Sequence, residues 1–263
     1  MNAVADEWTP ARFRDLALVA ARLGAEAIER EVRRGEMSID TKSHEADFVT
    51  SADKAAEAAV LAAIASARDN DAVLAEESGI HTGDSGVRWL IDPLDGTMNF
   101  VHGRPDYVVS VGVEQHGRYI AGAIVRPFSG DWAAGGGGEA LSRSGRAWVS
   151  SRHDLSEGLI GIGLPSPMEQ RFVVHDLIAQ LMPLCRDYRR SGSTASDLLS
   201  VALGQQEGYL GFGVQEWDYA GGAAVVEAAG GTWEWITTAS GIGVIVAGPP
   251  PVTSRLVELV KEI

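Results

Sequence analysis

The chain has 263 residues, 45% of them hydrophobic and 22% charged. That is the balance of an ordinary soluble globular chain, too apolar for a disordered one and too long for a disulfide miniprotein. Its 22 Lys and Arg stand against 36 Asp and Glu, a formal net charge of −14, which argues against binding nucleic-acid phosphates or an anionic membrane surface.

An acidic chain that takes an anionic ligand must recruit a cation, and a metal ion is the natural candidate. Cys185 is the single cysteine, so no intrachain disulfide can form and a reducing compartment is expected. Residues 1–14 carry Asp6 and Glu7 and no apolar run, unlike a secretory signal. No stretch approaches the ~20 apolar residues of a membrane span. The expected location is the cytoplasm.

In chain order, Thr9-Pro10 opens a helix as cap and first-turn proline. Phe13, Leu16, Ala20, Leu23, Ala27 and Ile28 continue it at helical spacing, and Gly35 ends it. After a polar stretch to Asp47, Ser51 is read as the cap of a second, alanine-rich helix that should pack close to a neighbour. Ala72–Ala75 and Arg88–Ile91 are short buried strands. The first ends in Glu76-Glu77-Ser78, the second in Asp92-Pro93-Leu94-Asp95-Gly96-Thr97, and a loop from Gly79 to Gly86 joins them. Tyr107–Gln115 and Tyr119–Arg126 flank His116-Gly117 as a β-hairpin.

A soft lobe boundary is placed near 145–155, giving lobes 1–150 and 151–263 within one compact unit. Beyond it come a strand at Ile160–Gly163, a helix from Glu169 that ends near Pro183, and a helix from Ser191–Thr194 to Gly204. A strand at Tyr209–Phe212 and a helix from Trp217 to Ala229 follow. Strands at Thr232–Ile236 and Ile242–Val246 lead to a closing helix. Helices interleaved with strands and at least one hairpin predict a mixed α/β (α+β) layered fold.

Four acids stand out. Glu76 and Asp92 follow strands, Asp95 lies three residues past Asp92, and Asp218 stands at a helix start. Proline stiffens the Asp92–Asp95 segment and frees carbonyls for a ligand. Carboxylates with a backbone carbonyl suit Mg²⁺. Gly96 lets backbone N–H groups approach an anion, and a helix opening at Thr97 adds its positive end. Each acid alone reads more readily as a turn former or helix cap.

The segment Trp89-Leu90-Ile91-Asp92-Pro93-Leu94-Asp95-Gly96-Thr97-Met98-Asn99-Phe100-Val101-His102-Gly103 strongly resembles the signature of the inositol monophosphatase family. Asp47-Phe48-Val49-Thr50-Ser51-Ala52-Asp53 resembles its D-x-V-T-x-x-D segment. Ala75-Glu76-Glu77-Ser78 is similar to its G-E-E-S block. Trp217-Asp218-Tyr219-Ala220-Gly221-Gly222, with Glu227-Ala228-Ala229-Gly230-Gly231, is similar to its C-terminal signature. The blocks stand in family order over about residues 10 to 260.

The resemblance implies a layered αβαβα fold of the sugar-phosphatase type and a Mg²⁺-dependent, lithium-sensitive phosphomonoesterase, with a homodimer expected. It implies two or three Mg²⁺ per site. Glu76, Asp92 and the Leu94 carbonyl would hold one ion, and Asp92, Asp95 and Asp218 the second. Gly96 and Thr97 N–H groups would grip phosphate, while Asp47, Thr97 and Glu76 would orient the attacking water. Attack would be in line, without a phosphoenzyme. His102 and Glu227 are read as structural, Glu77 as an outer partner or solvated, and Asp53 as a helix cap or hydrogen-bond anchor. Arg189–Thr194 resembles the family's R-x-x-G-[ST]-A segment, so Gly192, Ser193 and Thr194 would line the alcohol moiety or simply cap a helix.

Departures bear on the substrate. Where inositol-selective members place a glutamate seven residues before Asp218, this chain has Gly211; Glu216 is the candidate to compensate. Met98 and Ala75 also depart from the pattern. The substrate is expected to be a small phosphorylated metabolite: an inositol phosphate, histidinol phosphate, fructose bisphosphate or 3′-phosphonucleotide. The competing class is a regulatory binding protein on the same fold, with no nucleic acid or membrane partner expected.

Overall fold

The structure is a computed structural model and describes residues 8–35, 39–41 and 48–262. Helix α1 (Pro10–Arg34) begins as its sequence predicts: Thr9 Oγ1 accepts the Arg12 N–H over 3.4 Å, and Gly35 closes it with φ +72°. A short ribbon, β1 (Ile39–Thr41) against β2 (Phe48–Thr50), leads into α2 (Ser51–Ala67). The cap of α2 is Thr50 rather than Ser51. Thr50 Oγ1 accepts the Ala52 N–H (3.1 Å) and Asp53 returns a carboxylate to the Thr50 N–H (2.8 Å). This reciprocal bonding satisfies two donors that a serine cap one residue later would leave open.

The first sheet has eight strands. They are β3 (Ala72–Ala75), β4 (Gly79–His81), β5 (Val87–Asp95) and, after the short helix α3 (Thr97–Val101), β6 (Val108–Gln115), β7 (Arg118–Arg126), β8 (Asp131–Gly136), β9 (Glu139–Ser142) and β10 (Gly145–Arg146). Their spatial order is β10-β9-β8-β7-β6-β5-β3-β4. The segment expected as a plain loop from Gly79 contributes β4, antiparallel to β3. The β6–β7 hairpin turns at His116 and Gly117, both at positive φ, the geometry a two-residue hairpin requires.

The second sheet has β11 (Leu159–Gly163), the edge strand β12 (Asp187–Arg189), β13 (Gly208–Phe212), β14 (Thr232–Thr237) and β15 (Gly243–Gly248), in the order β12-β11-β13-β15-β14. Helices α4 (Met168–Leu181) and α7 (Pro250–Lys261) cover its outer face, while α5 (Thr194–Ala202) and α6 (Glu216–Ala228) lie between the sheets. With α1 and α2 on the far face of the first sheet, the layers are αβαβα.

Two close approaches set the spacing of these layers. A Cβ on Gly24 of α1 would stand 2.9 Å from Val60 Cγ2 of α2, so the alanine-rich α2 packs tightly on its neighbour. On the opposite face, a Cβ on Gly112 of β6 would stand 2.8 Å from the Gly221 backbone nitrogen of α6. Backbone meets backbone there because neither residue has a side chain. That contact seats α6, and with it Asp218, against the strands that carry the other acids.

Candidate functional site

Residues three apart on a regular strand point to opposite faces. Asp92 pairs with Ser110, but Asp95 pairs with Val108, so three steps on β5 match two on β6. The extra residue is a β-bulge at Pro93-Leu94, and it reverses the alternation. Asp92 and Asp95 thereby come to the same side. Proline suits the bulge because it has no N–H to leave unpaired. The Leu94 N–H donates to Asp92 Oδ1 over 3.1 Å and fixes the turn. The expected strand end at Ile91 is therefore not an end: β5 continues through the motif.

Strands β3 and β5 are parallel, with Ala75 opposite Ile91, and the Glu76 N–H donates to Ile91 O over 3.1 Å. Glu76 thus emerges beside Asp92. Asp218 is the third residue of α6, its Oδ2 accepting the Gln215 N–H over 2.7 Å in a capping box. The four acids meet around Asp92, which is 2% exposed. Burial holds its carboxyl well above the usual carboxylate range, and Glu76, Asp95 and Asp218 push it further; Glu76 also shares a hydrogen bond with it. Asp95 is pushed up to about 7, first by burial and also by Glu76 and Asp197, against the bonds it accepts.

Those bonds come from the second half of the chain. Asp95 Oδ2 accepts from Ser193 Oγ (3.0 Å) and from the Ala195 N–H (2.5 Å). Ser193 caps α5, accepting the Ser196 N–H over 3.1 Å, and Thr194 Oγ1 is 2.8 Å from the Tyr209 hydroxyl. Gly192 has φ +88°, and its amide neighbour Asn99 donates to Asp106 O (2.7 Å) and Ser191 O (2.9 Å). The capping role expected of this segment is present, and the loop is tied to both Asp95 and α3.

Gly96 caps α3 with φ +97°, and a Cβ there would stand 2.7 Å from Asp106 O. Only glycine fits. Thr97 Oγ1 lies 3.0 Å from the Leu94 carbonyl and 3.2 Å from Asp53 Oδ1. Asp47, the partner expected for Thr97, lies outside the described residues. Asp53 serves at the start of α2 as the capping-box partner of Thr50, and it is also a hydrogen-bond anchor for Thr97. Its carboxyl is raised by burial, opposed by Thr50 and reinforced by Glu76.

Glu216 lies at the start of α6. Its carboxylate accepts from Arg88 Nη2 (2.5 Å) and from the Tyr119 hydroxyl (3.0 Å). Both bonds fall on the same oxygen, Oε1, and anchor the start of α6 to β5 and β7.

The donor set consists of oxygens, which suit a hard divalent cation. The charged groups acting most strongly on buried Asp92 are themselves carboxylates, a grouping of like charges that a cation relieves. The acids are gathered without being closed into a cage: among the described residues no three His, Cys, Asp or Glu side chains stand as a formed metal-holding group. Asp95 and Asp218 each have one oxygen turned to a backbone N–H. The residues fit Mg²⁺ by chemistry and charge.

Comparison with known proteins decides the family. The pattern of the inositol monophosphatase family matches residues 10–259. The chain belongs to the inositol monophosphatase family. The protein called Nus factor SuhB in Salmonella typhimurium (strain 14028s) is 32% identical over 253 residues, covering 94% of this chain and 95% of its own. Among solved structures, the extragenic suppressor protein suhB from Bartonella henselae matches with TM-score 0.86 and 29% identity, over 95% of this chain and 98% of that one. The inositol monophosphatase from Anabaena (Nostoc) sp. PCC 7120 matches with TM-score 0.81 and 29% identity, over 96% of each.

Within this inositol monophosphatase framework, sequence reasoning missed two supports. Asn99 bridges α3 to the Ser191 loop. Glu57 of α2, 4% exposed, accepts from the N–H groups of Glu77 (2.9 Å) and Ser78 (3.0 Å). The available signal for Glu57 was its spacing, four residues after Asp53 on one helix face.

Proposed function

We propose that the protein is a Mg²⁺-dependent phosphomonoesterase that hydrolyses a small phosphorylated alcohol. The observation that carries this reading is the meeting of Glu76, Asp95 and Asp218 around buried Asp92. Four mutually repelling carboxylates in one place are costly in a fold and useful to a cation site. Glu76, Asp92 and the Leu94 carbonyl would hold one ion, and Asp92, Asp95 and Asp218 a second. The first three acids come from the lobe 1–150 and Asp218 from the lobe 151–263. When bound, Mg²⁺ supplies charge neutralisation of the phosphate and a lowered pKa for water.

The chain's own residues do the positioning. Thr97 has one hydroxyl proton, which it donates to Leu94 O or to Asp53, leaving an oxygen lone pair to accept a hydrogen bond from the attacking water and so orient it. Glu76 takes the same water from its other side. The N–H groups of Gly96 and Thr97 donate to phosphate oxygens. In-line displacement then needs no covalent nucleophile. Gly192, Ser193 and Thr194 would border the leaving alcohol. At Gly211 even a Cβ would stand 2.7 Å from both Ile245 Cγ2 and Tyr209 Cε1, so the substrate is read as one that needs no carboxylate from this position. A histidinol phosphate, a sugar bisphosphate or a 3′-phosphonucleotide stands beside inositol phosphate in the panel to test. Cytoplasmic location, a homodimer and lithium inhibition belong to the same reading; among the described residues no helix is long and apolar enough to cross a membrane.

The relatives' name, Nus factor, favours a second reading, a regulatory role carried out by binding on the same fold. The net charge of −14 supports a protein partner for that role over a phosphate backbone. Phosphate release from the ester panel, with and without Mg²⁺, separates the two. Hydrolysis that requires Mg²⁺ and is lost in Asp92→Asn supports the phosphatase. No hydrolysis of any ester overturns it.

A further inference from the structure

We infer that Glu57 is the positioning residue for Glu76, an inference that rests on the phosphatase reading above. Glu57 lies on the buried face of α2, and both of its carboxylate oxygens are used. Oε2 accepts the Glu77 N–H over 2.9 Å and Oε1 accepts the Ser78 N–H over 3.0 Å. These are the two residues that follow Glu76 where β3 gives way to the turn before β4. Two successive backbone donors held by one carboxylate cannot rotate without breaking a charge-assisted bond. On its strand side Glu76 is held by its own N–H on Ile91 O, at 3.1 Å. Glu76 therefore stands between two clamps, one on the neighbouring strand and one on the helix.

The same helix face carries the anchor of a second site residue. Asp53, one turn before Glu57, stands 3.2 Å from Thr97 Oγ1. Side chains four apart lie on one face of a helix, so α2 sets the separation of Glu76 and Thr97 as one stiff element. Glu207 offers a contrast. It is also buried, accepts the Leu159 N–H (2.8 Å) and binds Arg152 (2.9 Å), but the groups it joins take no part in the acidic cluster.

The test uses the full chain and three variants, Glu57→Gln, Glu57→Asp and Glu207→Gln. Each is titrated with Mg²⁺, read once by the Mg²⁺-induced rise in Tm and once by phosphate release from an ester that the wild type hydrolyses. Glu57→Gln keeps the shape but turns an amide NH₂ toward one of the N–H donors; Glu57→Asp keeps the charge but is one methylene too short to span both. The half-saturating Mg²⁺ concentration is expected to rise about 10- to 100-fold in both, with a smaller change in KM for the ester. Glu207→Gln is expected to lower Tm and leave the Mg²⁺ titration as in the wild type. A Mg²⁺ response in the Glu57 variants within about twofold of wild type overturns the inference and leaves the phosphatase reading standing. A wild type that neither releases phosphate nor responds to Mg²⁺ overturns the phosphatase reading first, and this inference with it.

Discussion

Ser193 Oγ donates to Asp95 Oδ2 over 3.0 Å, joining the end of β5 to the cap of α5 across 98 residues of chain. The Ala195 N–H reaches the same oxygen. Asp95 is thus held at the N-terminal end of a helix, where backbone donors and the helix dipole favour its charge. Ser193→Ala removes both this bond and the cap to Ser196. Loss of an N-cap costs about 1 kcal/mol, and chemical denaturation should show a loss of at least that size. The Mg²⁺ titration should weaken as well, because Asp95 loses one of its two fixed partners. An unchanged titration would separate the cap from the acid cluster.

Asp92→Asn should do opposite things to stability and activity. Burial and its acidic neighbours hold the Asp92 carboxyl well above the usual range, so the charged form is disfavoured in the metal-free fold. Removing that charge relieves Glu76, Asp95 and Asp218. In EDTA at pH 8 the variant should melt higher than wild type, by about 2 °C or more for each kcal/mol gained. Turnover with Mg²⁺ should fall by about 100-fold or more, equal to roughly 3 kcal/mol of transition-state stabilisation. Calorimetry and a phosphate-release assay read the two effects separately.

The pH dependence of the metal-free protein follows from Asp95. Its carboxyl is raised to about 7 in the fold, against about 3.9 in an unfolded chain. A raised acid binds its proton more tightly when folded, so its stabilising contribution is complete below about pH 4 and is lost as pH climbs toward and through 7. In EDTA, the contribution of this group to Tm should decline across that window. With saturating Mg²⁺ the ionised form is the one bound, and the decline should flatten or reverse. Comparing Asp95→Asn with wild type at pH 5 and pH 8 isolates the effect of this carboxyl.

Gly221→Ala tests how packing reaches the site. A Cβ there would stand 2.7 Å from Ser110 Oγ and 3.0 Å from Val111 O. Overpacking of this kind costs about 1–3 kcal/mol, and relief by lifting α6 would displace Asp218. Both Tm and the Mg²⁺-induced rise in Tm should drop. A fall in Tm with an unaltered Mg²⁺ response would mean that Asp218 does not depend on this contact.

Thr97→Val keeps the shape of the side chain and removes the hydroxyl that faces Asp53 and Leu94 O. Turnover should fall by about 100-fold, while Thr97→Ser should retain most of it. A loss confined to Thr97→Ser, with Thr97→Val still active, would point to the β-methyl rather than the hydroxyl.

Much of this molecule was legible along the chain because the signals were local. Thr9, Pro10 and Gly35 bound α1, and His116-Gly117 places the hairpin, because capping and turn geometry act within a few residues. The four acids stood in recognisable blocks for the same reason. Other elements depended on distant partners. Strand β12 forms only because β11 lies beside it. The ion pair of Glu216 with Arg88, 128 positions away, left no local signal along the chain. The role of Glu57 could not be read locally at all, since its partners are backbone N–H groups about twenty residues downstream.

The order of residues alone determined which oxygens this protein owns, where α1 starts and ends, and the family to which it belongs. Whether those oxygens share one place was decided by tertiary structure: by the bulge at Pro93-Leu94 that puts Asp92 and Asp95 on one side, by the parallel pairing that sets Glu76 beside them, and by the glycine contact that brings α6 and Asp218 down onto the sheet. The physical reason is that local bonding fixes each dihedral from near neighbours, whereas the meeting of charges from three segments depends on how closely the layers between them pack.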